Sequence, residues 1–319
     1  MAVGSVLRMR LVTFTEIGES PAEPTEPWRS PELWRTGVVA GDEVVDLTDL
    51  VVGLPADMAE LLVGGEGALE RASQAHRTGA RRLAVEQVQL LAPVPRPPKV
   101  LAMGMNYAAH VAEMGREPPE HQVWFNKQRT CVIGPGEAIE IPAASDAVDY
   151  EGELAFVIGR TARRVPADEA MAVVAGFTIM NDVSVRDWQS RAPTWTMGKS
   201  FDTHGPLGPW VVTADELGDP HRLRLRTWVN GELRQDGSTE DMVFGVGQMV
   251  ELLSTACTLE PGDVVTTGTP PGVGASFQPP KWLVPGDVVR IEIEGIGTLE
   301  NPVTGATQGA AARGAGPTQ

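Results

Sequence analysis

Asp149-Tyr150-Glu151-Gly152-Glu153-Leu154-Ala155-Phe156-Val157-Ile158-Gly159 is the stretch on which the reading of this 319-residue chain turns. Two carboxylates two residues apart lead into an apolar run that ends in glycine. The run is rich in strand-favouring residues, which predicts a strand. Side chains alternate along a strand, so Glu151 and Glu153 point to one face. Gly152 between them leaves room for another backbone or a ligand to come close. Like charges at that spacing repel unless a cation lies between them or water screens them. A solvated strand end has the same pattern, and acidic residues are mostly exposed. The stretch alone does not choose between the two.

Working outward, Ala175-Gly176-Phe177-Thr178-Ile179-Met180 reads as a second strand that exits into Asn181-Asp182. An Asp there is commonly a turn former or cap. Placed beside Glu151 and Glu153, Asp182 would complete a set of three carboxylates. Oxygen ligands without a nearby His or Cys suit Mg²⁺, Mn²⁺ or Ca²⁺ rather than zinc or copper. Upstream, Gly104 to Glu113 predicts a helix within 106–116. Asn106 is its candidate cap, and His110 and Glu113 lie at i,i+3 on one face. Such a pair is either a surface ion pair or a Glu-oriented histidine acting as general base on water. Gly104 could serve as a hinge. Lys199, between Gly198 and Ser200 and followed by Phe201, reads as a partly buried cation able to hold an anionic oxygen. The Gly/Thr loop Thr266 to Gly274 offers N–H groups and hydroxyls. It lacks the G-K-[ST] of a phosphate loop, which gives nucleotide binding no support.

The chain is acidic, with 26 Lys and Arg against 42 Asp and Glu and a net charge of −16. That argues against nucleic acid and anionic membranes as partners. It leaves room for a small anionic substrate in a local positive pocket. Apolar content of 42 % suffices for a substantial core. No stretch reaches the roughly 18 apolar residues of a membrane span, and Met1 to Arg10 lacks the apolar core of a signal peptide. A cytoplasmic protein is expected. Cys131 and Cys257 stand in apolar surroundings outside any C-x-x-C and are expected to be buried thiols.

Residues 9–50 read as a small β unit. In it Trp34–Ala40, a Gly41-Asp42 turn and Glu43–Leu47 form a hairpin, and the stretch from Glu19 to Pro31 reads as an exposed loop. Two helices are expected within 56–84. Pro93, Pro95, Pro97 and Pro98 make a stiff, extended boundary. Beyond it short apolar runs alternate with Gly, Pro and Asp turns, and helices are expected only at 106–116, 166–174 and 242–253. Pro261-Gly262-Asp263-Val264-Val265 and Pro285-Gly286-Asp287-Val288-Val289 each read as a type II turn feeding a strand. The expected fold is therefore α+β and β-rich. Its expected units are a small N-terminal domain (1–95), a larger β-rich domain (96–303), to which the resemblance below assigns the catalysis, and a disordered tail (304–319).

The motifs GMNYAAHVAE (104–113), IGPGEAIEIP (133–142), DYEGELAFVIG (149–159), NDVSVRDWQ (181–189), GKSFDTHGPLGPW (198–210), VNGELRQ (229–235), LEPGDVVTTGTPPGVG (259–274) and GDVVRIEIEGIGTLENPV (286–303) occur in one order over about two thirds of the chain. In them the chain resembles the fumarylacetoacetate hydrolase family, in the bacterial-type branch of acylpyruvate hydrolases and related oxaloacetate decarboxylases and isomerases. The resemblance implies a mixed β-roll catalytic domain, a small α+β N-terminal domain and a homodimer. It places metal ligands on Glu151, Glu153 and Asp182, and catalytic groups on His110, Glu113 and Lys199. Substrate contacts fall on Arg186, Gln189, Lys127 and Thr269. The sequence departs from the family's pattern at Gln128, where proline is common, at Ser238-Thr239 and at Val185. None of these removes a catalytic group.

The activity so implied is Mg²⁺- or Mn²⁺-dependent hydrolysis of a C–C bond in a 1,3-diketo acid such as an acylpyruvate, through a metal-stabilised enolate. The alternative is decarboxylation or isomerisation of an oxaloacetate-like or hydroxymuconate-like acid. A catalytically silent metal-binding homologue is a third reading. Trp124 and Trp195 either line the pocket for the distal group or pack the core.

Overall fold

The computed structural model describes residues 8–18 and 30–306. The expected loop from Glu19 to Pro31 lies largely outside these residues, as does nearly all of the expected tail. The fold is α+β and strand-rich, as the patterning predicts. The Gly152–Ile158 strand sits inside the largest sheet and is buried along its whole length. It pairs antiparallel with Val174–Asn181 on one side, from Gly152↔Asn181 to Phe156↔Phe177, and with Val264–Thr266 on the other. From there the sheet extends through Gly205–Thr213 to the N-terminal strands Arg10–Glu16, Arg35–Ala40, Glu43–Asp46 and Arg82–Ala84. In the other direction it continues to Val100–Gly104 and Val123–Lys127. Strands from both sides of the proline-rich run thus share one sheet, with Arg10↔Val212 and Leu11↔Val211 in register.

A second sheet of five strands, in the order Glu232–Ser238, Arg224–Val229, Val288–Ile293, Gly297–Thr304 and Ile139–Glu140, covers one face of the first. Leu154, Phe156 and Ile158 share a core there with Leu225, Ile291 and Leu299, while Ala155 and Val157 face a second core with Met58, Leu61 and Leu62. This is the period-2 alternation of a strand buried on both faces. It places Gly152 toward the second sheet, where a Cβ would stand 2.4 Å from Thr227 Oγ1. No larger residue fits between the two glutamates. Truncating Phe156 to Ala in such a core costs about 3–5 kcal/mol.

The hairpin forms as expected, with Arg35–Ala40 antiparallel to Glu43–Asp46, and the two N-terminal helices are Met58–Val63 and Gly65–Gln74. Gly262 and Gly286 both take the positive φ that a type II turn requires. The expected helix at 166–174 is a 3-10 helix, Ala167–Val173. The helix expected at 242–253 runs instead over Val246–Ala256. Its start is delayed because Phe244 is tied to Asn106: the Phe244 N–H donates to Asn106 Oδ1 and the Asn106 amide donates to the Phe244 carbonyl. Asn106 is therefore spent on this tie and does not cap its own helix, which is Ala108–Glu113 with Tyr107 at the N-cap. Cys131 is buried, but Cys257 is exposed just past the end of the Val246–Ala256 helix, against the expectation of two buried thiols. Among the described residues no helix is long and apolar enough to cross a membrane.

Candidate active site

The first carboxylates come from the end of an interior strand of the large sheet. Glu153 lies one residue inside the Gly152–Ile158 strand and Glu151 just before it. Asp182 follows the partner strand Val174–Asn181. The antiparallel register sets Gly152 opposite Asn181, so the start of one strand meets the end of the other. The Asp182 N–H donates to the Glu151 carbonyl at 2.9 Å. As a result Glu151, Glu153 and Asp182 are all buried, with ligand oxygens within 4.8 Å of one another. At that separation two carboxylates repel by roughly 3–4 kcal/mol for an effective dielectric constant near 20.

Cations answer part of this charge. Lys199 Nζ donates to Glu151 Oε2 and to Asp182 Oδ2, each at 2.7 Å. Arg186 Nη1 is 2.6 Å from Glu151 Oε1, and its Nε donates to Asp149 Oδ2 at 2.8 Å. Lys127 Nζ donates to Asp182 Oδ1 at 2.7 Å and also reaches the Lys199 carbonyl. Burial disfavours ionisation of Glu151, but the Lys199 and Arg186 charges outweigh it and hold its carboxyl well below the usual range. Burial likewise opposes the charge on Lys199, and Asp182 and Glu151 outweigh it and hold the ammonium on.

Glu153 is the exception. It receives the Gly268 N–H at 3.0 Å, but among the described residues no Lys or Arg pairs with it. Burial, then the Asp182 and Glu151 charges, push its carboxyl well above the ordinary value. Three buried oxygen donors, one of them lacking a countercharge, fit a hard divalent cation. Such an ion would be held by Glu151, Glu153 and Asp182.

The facing wall is the Ala108–Glu113 helix. His110 Nδ1 lies 3.1 Å from Glu113 Oε2, and Glu113 Oε1 accepts the Gly272 N–H at 3.0 Å. The Thr266–Gly274 loop therefore spends its N–H groups on the protein's own carboxylates: Gly268 on Glu153, Gly272 on Glu113 and Gly274 on Asp149. A cavity of about 440 Å³ opens between the helix and the carboxylates. It is lined by His110, Glu113, Glu151, Glu153, Arg186, Gln189, Lys199 and Thr269. Of the sequence-predicted site residues it gathers these eight. Asp182 and Lys127 lie behind them, outside its lining. Lys127 is only 3 % exposed and is wholly engaged in holding Asp182 and the Lys199 backbone. Thr269 reaches the lining, but its hydroxyl donates to the Gly152 carbonyl and accepts from Gln235. Gln189 accepts from Arg186 at 3.0 Å.

Trp195 joins the lining and Trp124 does not. The Trp195 ring lies against the Gly104 backbone, 2.4 Å from where a Cβ would stand, so this contact needs a glycine at 104. Trp124 instead packs beside the main core. Sequence reasoning assigned no role to Asp149 or Tyr150. Asp149 accepts from Arg186, Gly274 and Ala275. The Tyr150 hydroxyl donates to the Gly272 carbonyl at 2.9 Å. The signal for Asp149 was its place at the head of the opening stretch, since a carboxylate that enters a buried strand must be met by donors.

The family profile described as fumarylacetoacetate (FAA) hydrolase, C-terminal, matches residues 99–304. The mitochondrial oxaloacetate tautomerase fahd2 of Xenopus laevis is 42 % identical over 299 residues, 93 % of this chain and 91 % of that protein. The oxaloacetate tautomerase YisK of Bacillus subtilis is 40 % identical over 262 residues, 78 % of this chain and 87 % of that protein. Among solved structures, maleylpyruvate hydrolase from Sphingobium sp. SYK-6, in complex with manganese(II) and pyruvate, superposes with a TM-score of 0.76 at 33 % identity. That alignment covers 94 % of this chain and all of the other.

Proposed function

The chain belongs to the fumarylacetoacetate hydrolase family, and on that premise we propose that it is a divalent-metal-dependent enzyme that interconverts the enol and keto forms of a small, oxaloacetate-like 2-oxo acid. The observation that carries the proposal is that His110 and Lys199 face one cavity whose inner wall holds Glu151 and Glu153. The names of the relatives favour tautomerisation over the other reactions of the family. A bound Mg²⁺ or Mn²⁺ supplies Lewis acidity at the carboxylate cluster.

The remaining chemistry falls to the chain. Lys199 uses two of its three ammonium hydrogens on Glu151 and Asp182, which leaves one for the substrate oxygen where negative charge develops. Glu113 engages Nδ1 of His110 and leaves Nε2 as the base. Nε2 takes the proton from the enol hydroxyl, and the same imidazolium returns it to the adjacent carbon. The enol O–H bond breaks, a C–H bond forms, and no water is consumed. Arg186 and Gln189 orient the substrate carboxylate. Lys127 acts behind the site, by fixing Asp182 and the Lys199 backbone.

Hydrolysis of a 1,3-diketo acid is the second reading, because an oriented histidine of this kind equally activates water and the maleylpyruvate hydrolase structure is a close fold match. The homodimer belongs to the same proposal and is tested by light scattering. The deciding experiment supplies the Mn²⁺-loaded protein with enol oxaloacetate, an acylpyruvate and an unsaturated 2-hydroxy acid. Enol loss is followed by ultraviolet absorbance, and released pyruvate is assayed separately. Enol loss without pyruvate supports tautomerisation. Pyruvate from the acylpyruvate alone replaces it with hydrolysis. Metal binding with an inert panel makes the protein a silent homologue. His110→Ala should lower the tautomerisation rate by about 10²–10⁴-fold and leave Mn²⁺ affinity unchanged.

A further inference from the structure

One cation on the cavity wall has no assigned part. Arg116 lines the cavity, is exposed, and among the described residues pairs with no carboxylate. Its side-chain contact is the thioether of Met105, at 3.8 Å. The other two cations of the lining are held at the inner end of the cavity, Arg186 by Asp149 and Glu151 and Lys199 by Glu151 and Asp182, where the reading above gives them the first carboxylate and the reacting oxygen.

The backbone places Arg116 deliberately. The Ala108–Glu113 helix ends in a Schellman motif: the Gly115 N–H donates to the Ala112 carbonyl at 2.9 Å and the Arg116 N–H to the Val111 carbonyl at 3.1 Å, with Gly115 at φ +67. That geometry needs a left-handed residue, which glycine supplies without strain. The backbone of Arg116 is therefore fixed to the helix that carries His110 and Glu113, and its side chain reaches the cavity from there. Met103, Met105, Met114, Phe125 and Trp195 supply apolar lining, which makes a bare anion at this mouth costly unless a cation receives it.

We propose that Arg116 is a specificity-determining residue that receives a second, distal carboxylate, so that the site selects 2-oxo dicarboxylic acids over 2-oxo monocarboxylic acids of equal length. A planar guanidinium with free N–H groups pairs with a carboxylate in bidentate fashion. This rests on the 2-oxo acid reading above, in which the first carboxylate occupies the inner end of the cavity.

The test measures binding, so it does not depend on turnover. The Mn²⁺-loaded full chain is titrated calorimetrically with 2-oxoglutarate and with 2-oxopentanoate, which differ only in the terminal carboxylate. Wild type should bind the diacid at least tenfold more tightly. Arg116→Ala should erase that preference by weakening the diacid alone, and Arg116→Lys should restore part of it. Equal wild-type affinities, or an equal loss of both ligands in Arg116→Ala, would overturn the assignment. If neither acid binds wild type, it is also overturned, together with the 2-oxo acid reading. Diacid preference combined with an inert enol panel would sink the proposed reaction and leave Arg116's role standing.

Discussion

Glu153 is the residue whose charge the protein does not balance. It is buried beside two other carboxylates and has no cationic partner among the described residues. Two opposite effects of one substitution follow. Without metal, Glu153→Ala removes a carboxyl that burial, then the Asp182 and Glu151 charges, penalise, and should raise the melting temperature. With Mn²⁺ at a hundredfold excess over its Kd, wild type should gain about 2.7 kcal/mol of stability, and the variant should gain almost nothing. Differential scanning calorimetry with and without Mn²⁺ checks both, and a variant that Mn²⁺ still stabilises would remove Glu153 from the ligand set. Strand alternation put Glu151 and Glu153 on one face, but only the family resemblance added Asp182 to them, because nothing local in the sequence pairs their strand with the one that exits at Asp182. The engagement of Lys127 with Asp182, 55 residues away, was not legible in the sequence. A lysine in a strand reads the same whether it reaches substrate or lies behind a cluster, and only the tertiary pairing decides.

At the scale of elements, the Ala108–Glu113 helix is latched to the strand that carries the carboxylates. Tyr150, one residue before Glu151, donates to the Gly272 carbonyl. The Gly272 N–H holds Glu113, and Glu113 holds His110. Gly272, through its carbonyl and its N–H, thus links the carboxylate strand to the histidine. Tyr150→Phe removes one hydrogen bond, a net loss of about 1 kcal/mol. It should lower kcat several-fold while KM and Mn²⁺ affinity stay unchanged. Glu113→Ala should lower kcat by a larger factor, because it removes the acceptor that orients the imidazole. Steady-state kinetics, with metal affinity measured separately, compares the two effects, and a Tyr150→Phe variant with wild-type kcat would show that the latch does not set His110. The i,i+3 spacing made the His110–Glu113 pair visible in sequence. The partner loop was visible only as a Gly/Thr-rich segment, since backbone N–H groups carry no sequence label.

Over the whole molecule, the two sheets are joined by a buried histidine that the motifs gave no reason to single out. His204 immediately precedes the Gly205–Thr213 strand of the large sheet, and its Nε2 donates at 2.9 Å to the carbonyl of Glu140, in the Ile139–Glu140 edge strand of the five-stranded sheet. The Thr203 hydroxyl accepts the Glu140 N–H at 2.9 Å beside it. Burial, against the small opposing effect of the Glu140 carbonyl and aided by the Lys127 charge, pushes the His204 pKa down to about 4. The folded-state value lies below the unfolded value, so the unfolded chain binds the proton more readily. The contribution of His204 is therefore complete above pH 6.5 and is lost as the pH falls toward 4. The loss amounts to roughly 3 kcal/mol over that window. His204→Asn keeps a donor for the Glu140 carbonyl but cannot titrate. Chemical denaturation from pH 7.5 to 4.5 should show wild type losing stability more steeply than the variant, with the gap opening below pH 6.5. Parallel curves would mean that the seam between the sheets does not sense pH through His204, and that the acid sensitivity of the fold lies with its many carboxylates.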